Sequence, residues 1–235
     1  LQGDFREHRQ VLEALGHEVI DVRLPADLDR VDGLVVPGGE STTIGKLATI
    51  YGLIEPLQKH IRTGLPVLGT CAGMIFLAKG VTDGDQPQLA VLDAVVERNA
   101  YGRQNESFET DLHVSGFTEP MRAVFIRAPR LADIGPDVEV LAEVNGQPVA
   151  VRQSNVVAIS FHPELTEDRR FHELLVEMAS GRGSDPGSLR TGSADDGTEI
   201  GPSAHVPIRE TPGRPTPSTR QATGGGALDE REESA

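Results

Sequence analysis

The amino-acid sequence predicts an α/β fold with a mainly parallel sheet, helices on both faces and a small antiparallel insertion. Over residues 1–80, stretches with apolar residues at helical spacing alternate with short runs of consecutive apolar residues. The same alternation returns after residue 156, and the region between contains several short β-type segments. Short apolar runs are typical of strands buried on both faces, and their alternation with helices indicates βαβ units.

Each element follows from its apolar spacing. Helices are predicted at about residues 5–15, 44–51, 54–61, 72–78 and 171–178. Strands are predicted at residues 19–22, 34–36, 66–68 and 156–161, and the insertion holds β segments at 95–96, 108–112, 123–126, 138–144 and 149–151. A βαβ unit opens with a strand, whereas this chain opens at Leu1 with residues that suit the exit from one. We therefore expect a further strand upstream of Leu1, inside the sheet.

The composition changes near Gly181. In residues 181–235, Gly, Pro, Ser and Thr make up 28 of 55 residues, and no aromatic residue occurs. Such a segment buries too little apolar area to offset its chain entropy. We therefore predict one folded domain, residues 1–180, followed by a disordered low-complexity tail, residues 181–235. A small second domain is the alternative.

Charge and cysteine content narrow the possible partners. The formal net charge of −14 argues against nucleic acid and anionic membranes, because both reward positive charge. The single cysteine excludes an intrachain disulfide and suits a reducing compartment, so we expect a cytoplasmic protein. No apolar run reaches the roughly 18 residues of a membrane-spanning helix, and no signal peptide is visible.

Cys71 is the strongest candidate for a nucleophile. It lies in the sequence GTCAG, residues 69–73, between a predicted strand and a predicted helix. This pattern is typical of a strand-to-helix elbow, whose tight turn needs small neighbours and holds a reactive side chain at the carboxyl edge of the sheet. The helix N-terminus favours the thiolate, and the backbone N–H of Ala72 would face a developing oxyanion. A buried structural cysteine is the alternative, which the flanking glycines disfavour.

His162 and Glu164 are the candidate partners of that cysteine. They belong to a His-Pro-Glu sequence directly after the predicted strand at 156–161, where parallel α/β sheets place their sites. His162 would take the proton from Cys71, and Glu164 would bond the other ring nitrogen and fix its tautomer. His-Pro-Glu alone is a weak signal, but paired with the elbow it is strong. The remaining histidines lack this context, so His8, His60 and His172 are interpreted as helix-surface residues and His205 as part of the tail.

A glycine-rich turn follows the strand at residues 34–36. Its sequence is PGGEST, residues 37–42, and consecutive glycines let backbone N–H groups approach a ligand. Gly39 would thus donate a second hydrogen bond to an oxyanion. A phosphate-binding loop is disfavoured because the Lys-Ser/Thr end of a P-loop is missing. We predict no metal site, because one cysteine with scattered His and Glu residues does not give zinc spacing.

Together these motifs resemble class I glutamine amidotransferase domains, which carry a glycine-rich oxyanion turn, a Gly-x-Cys-x-Gly elbow and a late His-Pro-Glu. Further segments are similar to the glutaminase subunits of pyridoxal 5′-phosphate synthases: LQGDFREH at 1–8, GGESTT at 38–43, RNAYGRQ at 98–104, SFE at 107–109 and FIRAP at 125–129. The resemblance covers about residues 1–180. The stretch from Arg98 to Glu109 is its most specific part.

The resemblance implies a flavodoxin-like three-layer α/β/α sandwich that hydrolyses L-glutamine to L-glutamate and ammonia. Catalytic positions map to Cys71, His162 and Glu164. It implies no cofactor, and a partner that is a separate (β/α)₈ synthase subunit, which receives the ammonia within a large hetero-oligomer. The glutamine-binding positions of the family map to Gly39, Glu40, Ser41, Arg98, Ile126 and Arg127.

Three other functions compete with this one. The first is the glutaminase subunit of another class I amidotransferase, since the Cys and His-Pro-Glu motifs alone would fit any member. The second is a related thiol hydrolase on the same core, such as a peptidase or deglycase, although these usually use a Glu on an early strand. The third is a catalytically silent docking module, which the intact motifs disfavour.

Overall fold

The computed structural model describes residues 3–98 and 107–181 of the chain. Within these ranges the α-helices are α1 (Phe5–Ala14), α2 (Ser41–Ile50), α3 (Ile54–Arg62), α4 (Ala72–Leu77) and α5 (Arg170–Ala179). The strands are β1 (Leu34–Val36), β2 (Val67–Thr70), β3 (Ala78–Val81), β4 (Leu92–Glu97), β5 (Phe108–Leu112), β6 (Met121–Phe125), β7 (Arg130–Ile134), β8 (Glu139–Val144), β9 (Gln147–Gln153) and β10 (Val156–Ile159). The predicted tail, apart from Gly181, lies outside the described residues.

A five-stranded sheet with the order β1-β2-β10-β9-β8 forms the centre of the domain. β1, β2 and β10 run parallel, with Val67 beside Val156 and Thr70 beside Ile159. β9 and β8 continue the sheet in antiparallel pairing. The mainly parallel core is confirmed, and part of the predicted antiparallel insertion extends that sheet.

Apolar residues of the parallel strands point alternately to two hydrophobic cores, one on each face of the sheet. Val67, Val156 and Ala158 pack into a core that also contains buried residues of α2, α3 and α4. Leu68, Val157 and Ile159 pack into the other core, which contains the buried face of α5. This alternation explains the short continuous apolar runs in the sequence, because both faces of each strand are covered. The three-layer arrangement is therefore confirmed.

Two smaller sheets complete the described region. β3, β4 and β7 form one, with β4 parallel to β3 and antiparallel to β7, and β5 pairs with β6 in the other. The predicted β segments of the insertion coincide with or overlap β4, β5, β6, β8 and β9, to within one residue at Ile126 and Val138. None of the helices in the described ranges is long and apolar enough to cross a lipid bilayer.

The strand predicted at residues 19–22 is wrong, because the structure assigns no strand there. A cleft of about 680 Å³ is lined both by these residues and by Leu34 and Val35 of β1. An apolar run becomes a strand only when a neighbouring strand completes its hydrogen-bond ladder. The edge of β1 faces this cleft, so residues 19–22 form no hydrogen-bond ladder with β1 in the described region. The strand that we expect upstream of Leu1 stays a prediction.

The turn between β2 and α4 depends on close backbone packing. A Cβ atom at Gly73 would lie 2.0 Å from the carbonyl oxygen of Val36, and one at Gly69 would lie 2.4 Å from Cδ1 of Leu77. Glycine at these positions lets the start of α4 sit directly on the end of β1. The two glycines therefore fix where Cys71, which lies between them, meets the neighbouring strand.

We expect Gly73→Ala to destabilise the domain by about 2–3 kcal/mol, because backbone atoms cannot give way as a flexible side chain can. Gly80→Ala in β3 is the matched control, since its Cβ would come no closer than 4.0 Å to Val95. Denaturant unfolding of both variants gives the two free energies. Equal stability of the two variants would contradict the packing argument.

Candidate active site

Cys71 occupies a strained turn at the carboxyl end of β2. Its φ of 48° and ψ of −104° are unusual for a residue other than glycine, and such conformations cost on the order of 1–3 kcal/mol. Its N–H donates a 2.8 Å hydrogen bond to the carbonyl of Ile159, which continues the pairing of β2 with β10. Hydrogen bonding to the neighbouring strand thus holds the sulfur at the edge of the sheet, immediately before α4.

His162 and Glu164 come from the turn that follows β10. The N–H of His162 donates a 2.9 Å hydrogen bond to the carbonyl of Val124. A short 3₁₀ helix, Pro163–Leu165, then folds the chain back, so that Nδ1 of His162 lies 2.7 Å from Oε1 of Glu164. Both residues are buried. Because β10 and β2 are parallel neighbours, this pair lies at the same edge of the sheet as Cys71.

The electrostatics of His162 show that the three groups interact. Burial alone would lower the pKa of its imidazole, but hydrogen bonds to Cys71 and Glu164 outweigh burial and raise the pKa to about 10. At neutral pH the ring is therefore a cation between a sulfur and a carboxylate. The structure brings Cys71, His162 and Glu164 together, although they are far apart in the sequence.

Gly38 and Gly39 lie close to the catalytic candidates. A Cβ at Gly38 would approach Cε1 of His162 to 2.6 Å, so only glycine allows the turn to rest against that ring. Gly39 has a φ of 141°, which favours glycine. The glycine turn thus packs against the ring of His162. Ala72, the first residue of α4, follows Cys71 directly in the chain.

Glu40 caps the N-terminus of α2. Its carboxylate accepts hydrogen bonds from the N–H groups of Thr42 and Thr43 at 3.0 and 2.7 Å, and from the Thr43 hydroxyl at 2.6 Å. The Thr43 hydroxyl, followed by these backbone donors, lowers the pKa of Glu40 to about 2. The side chain therefore carries a full negative charge beside the glycine turn, and it also fixes the start of α2.

Ser41 and Arg98 meet at the buried side-chain amide of Gln86, a residue that no sequence pattern singled out. Oε1 of Gln86 accepts from Oγ of Ser41 at 3.2 Å and from the Arg98 guanidinium at 3.0 Å. Arg98 also forms an ion pair of 3.0 Å with Asp83. The guanidinium is thus held by residues of the chain itself. Residues 99–106, most of the stretch most specific to the resemblance, lie outside the described residues.

Ile126 and Arg127 follow β6, and the backbone of Ile126 lies close to the cysteine. The carbonyl of Ile126 lies 3.9 Å from Sγ of Cys71. Arg127 has a positive φ of 45° and is exposed. Arg127 therefore adopts an uncommon backbone conformation directly after the residue whose carbonyl faces Cys71.

One further charged side chain stands close to the catalytic candidates. A carboxylate oxygen of Asp4 lies within 4.8 Å of ligand-type atoms of His162 and Glu164. The hydrogen bond between His162 and Glu164 already engages two of these three groups. The absence of a metal site stays a prediction.

The interpretation of His8 and His172 as surface residues is wrong. Their exposed fractions are 2% and 0%. The two rings contact each other, and His8 also contacts Thr70 and Glu164. The signal was present in the sequence: His8 shares the helical stripe of Phe5 and Leu12, and a polar residue within an apolar stripe is buried with it.

This fold and site define the class of protein. The chain belongs to the SNO glutamine amidotransferase family, which its residues 1–180 match. A relative from Fervidobacterium nodosum, named pyridoxal 5′-phosphate synthase subunit PdxT, is 52% identical over 178 residues, 76% of this chain and 93% of the relative. The protein of the same name from Thermosipho africanus is 54% identical over 178 residues, 76% and 95% of the two chains. A crystal structure described as a glutamine amidotransferase is 53% identical with a TM-score of 0.73, over 77% of this chain and 96% of that one.

Replacing Glu164 by Gln should lower the pKa of the His162 ring, because the amide keeps an acceptor but loses the negative charge. The native ring should keep its proton up to about pH 10, and the ring of the variant should release it at lower pH. NMR titration of histidine-labelled protein measures both midpoints. Glu167→Gln, which removes an exposed carboxylate nearby, is the control, and an unchanged midpoint in Glu164→Gln would refute the assignment.

Proposed function

We propose that this chain is the glutaminase subunit of a pyridoxal 5′-phosphate synthase. It hydrolyses L-glutamine to L-glutamate and ammonia, and the ammonia passes to the synthase subunit. Membership of a glutamine amidotransferase family and the names of relatives more than 50% identical support the activity. The observation that carries the chemistry is the contact of His162 with both Cys71 and Glu164.

The first half of the reaction forms a γ-glutamyl thioester. The Cys71 thiolate attacks the side-chain amide carbon, a C–S bond forms, and the carbonyl electrons move to oxygen. The backbone N–H groups of Gly39 and Ala72 stabilise that oxyanion, and one such donor is typically worth 10²–10³ in rate. The His162 imidazolium then gives its proton to the amide nitrogen, so that the C–N bond breaks and ammonia leaves.

The second half returns the enzyme to its starting state. His162, now neutral, takes a proton from water, and the oxygen attacks the thioester carbon. The C–S bond breaks, glutamate leaves, and the thiolate again faces an imidazolium. Glu164 keeps Nδ1 protonated throughout, so that the other ring nitrogen is the one that exchanges protons.

Glutamine is a zwitterion, so its recognition needs one anion and one cation in addition to the catalytic groups. Glu40 supplies negative charge for the ammonium, and Gly39, Ser41 and Ile126 complete the binding surface. Arg127 is our candidate for the carboxylate, because it adjoins Ile126 and is exposed, whereas Arg98 is paired with Asp83 and Gln86. Arg98 then acts by holding Ser41 in place through Gln86.

The partner in this proposal is a (β/α)₈ synthase subunit, and the two assemble into a large hetero-oligomer in the cytoplasm. The chain itself needs no cofactor for the thioester chemistry. Its described domain, residues 3–98 and 107–181, supplies all the side chains assigned above.

Cys71→Ala and His162→Asn should each lower glutamate release by at least about a thousandfold when the synthase subunit is present, because each removes a group that changes bonds. His17→Asn, at an exposed histidine after α1, is the matched control and should keep native activity. Glutamate release and glutamine-dependent pyridoxal phosphate formation are measured in parallel. Full activity of Cys71→Ala would overturn the mechanism, whereas glutamate release without pyridoxal phosphate would favour another class I amidotransferase.

Arg127→Gln should raise KM for glutamine about tenfold or more with a smaller effect on kcat, because a charge-assisted bond to the substrate carboxylate is lost. Arg122→Gln, on β6 and paired with Glu109 and Asp111, is the control for removing an exposed arginine from the same region. A KM that is equal in both variants would exclude Arg127 as the carboxylate ligand.

A further inference from the structure

A chain of buried polar side chains continues from Glu164 away from Cys71. Nε2 of His8 lies 3.4 Å from Oε2 of Glu164 and 3.2 Å from Oγ1 of Thr70. Nδ1 of His8 lies 2.9 Å from Nε2 of His172. Both histidines are almost completely buried, on α1 and α5. Their ring nitrogens therefore depend on one another and on Thr70 for hydrogen bonds, with Oε2 of Glu164 close by.

The positions of the protons follow from which atoms can accept them. A hydrogen bond between two neutral imidazoles needs one donor and one acceptor. If Nε2 of His8 carries the proton, it faces the oxygens of Thr70 and Glu164, and Nδ1 of His8 accepts from Nε2–H of His172. Nδ1 of His172 is then a bare nitrogen. That agrees with its having no hydrogen-bond partner among the described residues.

The opposite assignment leaves two conflicts. With the proton on Nδ1 of His8, His172 must accept at Nε2 and carry its own proton on Nδ1. That N–H would be buried without an acceptor, which costs more than a buried bare nitrogen with an unused lone pair. The bare Nε2 of His8 could then accept from the Thr70 hydroxyl at 3.2 Å, but its lone pair would also face a carboxylate oxygen of Glu164, 3.4 Å away.

The charge states of the two histidines agree with the first assignment. Burial, followed by the nearby His172 and His162, lowers the pKa of His8 well below its ordinary value, and burial lowers the pKa of His172 to about 4. Each ring is therefore neutral at neutral pH and has one N–H to place. The charged groups that face the pair are Glu164 and, beyond it, His162 and Asp4.

The two carboxylate oxygens of Glu164 differ in their hydrogen bonding. Oε1 holds Nδ1 of His162, whereas Oε2 is fully buried and makes no well-aligned hydrogen bond among the described residues. The N–H of His8 is the group that faces Oε2. A carboxylate with one anchored and one unopposed oxygen can rotate, and an N–H beside the second oxygen opposes that rotation.

We propose that His8 and His172 are positioning residues for the catalytic carboxylate, in the order His172 to His8 to Glu164. His172 fixes the tautomer of His8 by donating from Nε2, and His8 presents its Nε2–H to Oε2 of Glu164. Glu164 in turn holds His162 toward Cys71. This role rests on the proposed function, since it matters only if the His162–Glu164 pair is catalytic, but the tautomers themselves do not depend on activity.

The tautomers are tested directly on the native chain by ¹⁵N NMR of histidine-labelled protein at neutral pH. His8 and His172 should both appear as neutral rings protonated at Nε2, with signals assigned from His8→Leu and His172→Leu samples. A ring of His8 protonated at Nδ1, or charged, would overturn the proposal. This measurement needs neither substrate nor the synthase subunit.

The catalytic consequence is tested in the complex with the synthase subunit. His172→Leu should lower kcat about tenfold with little change in KM, because the carboxylate is misplaced while the glutamine contacts remain. The pH profile of kcat should change as well, because the misplaced carboxylate no longer holds His162 toward Cys71. His172→Gln, whose amide N–H can replace the donor, should recover activity to within about threefold of native.

Leu175→Val on the same helix is the control for a loss of stability without a loss of hydrogen bonding. It should change the unfolding free energy but leave the pH profile and kcat unchanged. If His172→Leu behaves like Leu175→Val, or if His172→Gln is no better than His172→Leu, the positioning role is refuted. If the native complex itself releases no glutamate from glutamine, the proposed function fails and the positioning role fails with it, whatever the tautomers.

Discussion

The parallel pairing of β2 with β10 is the contact on which the rest of the site depends. It places the end of β2, with Cys71, beside the end of β10, with His162, although the strands are far apart in the sequence. The hydrogen bond from the N–H of Cys71 to Ile159 extends this pairing into the strained turn. Both strands are buried on both faces, so hydrophobic packing from two helical layers supplies the energy that keeps the turn in place.

Glycine and charge then shape the space around the sulfur. Gly73 lets α4 begin against β1, and Gly38 lets the preceding turn touch the ring of His162. The imidazole is held between a sulfur and a carboxylate, which keeps it protonated at neutral pH despite its burial. A buried cation is tolerated here because its ring hydrogen-bonds to both Cys71 and Glu164. The arrangement therefore holds a protonated imidazole beside the sulfur of Cys71.

The sequence was sufficient for the parts of the fold and site that follow from local pattern. Continuous apolar runs predicted β1, β2 and β10, and the two glycines around Cys71 predicted the elbow. Partners set by distant packing were missed: β3 and β7 have no distinctive local signal, and the apolar run at residues 19–22 lacks the ladder that would make it a strand. His8 was misread although it shares the apolar stripe of α1, whereas His172 becomes a buried residue only where α5 meets α1.

The central claim is that Cys71 forms a covalent bond to the substrate carbon. It is tested most directly by incubating the chain and its synthase subunit with an electrophilic glutamine analogue and locating the adduct by peptide mass spectrometry. The account predicts a single adduct on Cys71, with labelling slowed by added glutamine. Continued glutamine hydrolysis in a sample without any label on Cys71 would contradict it.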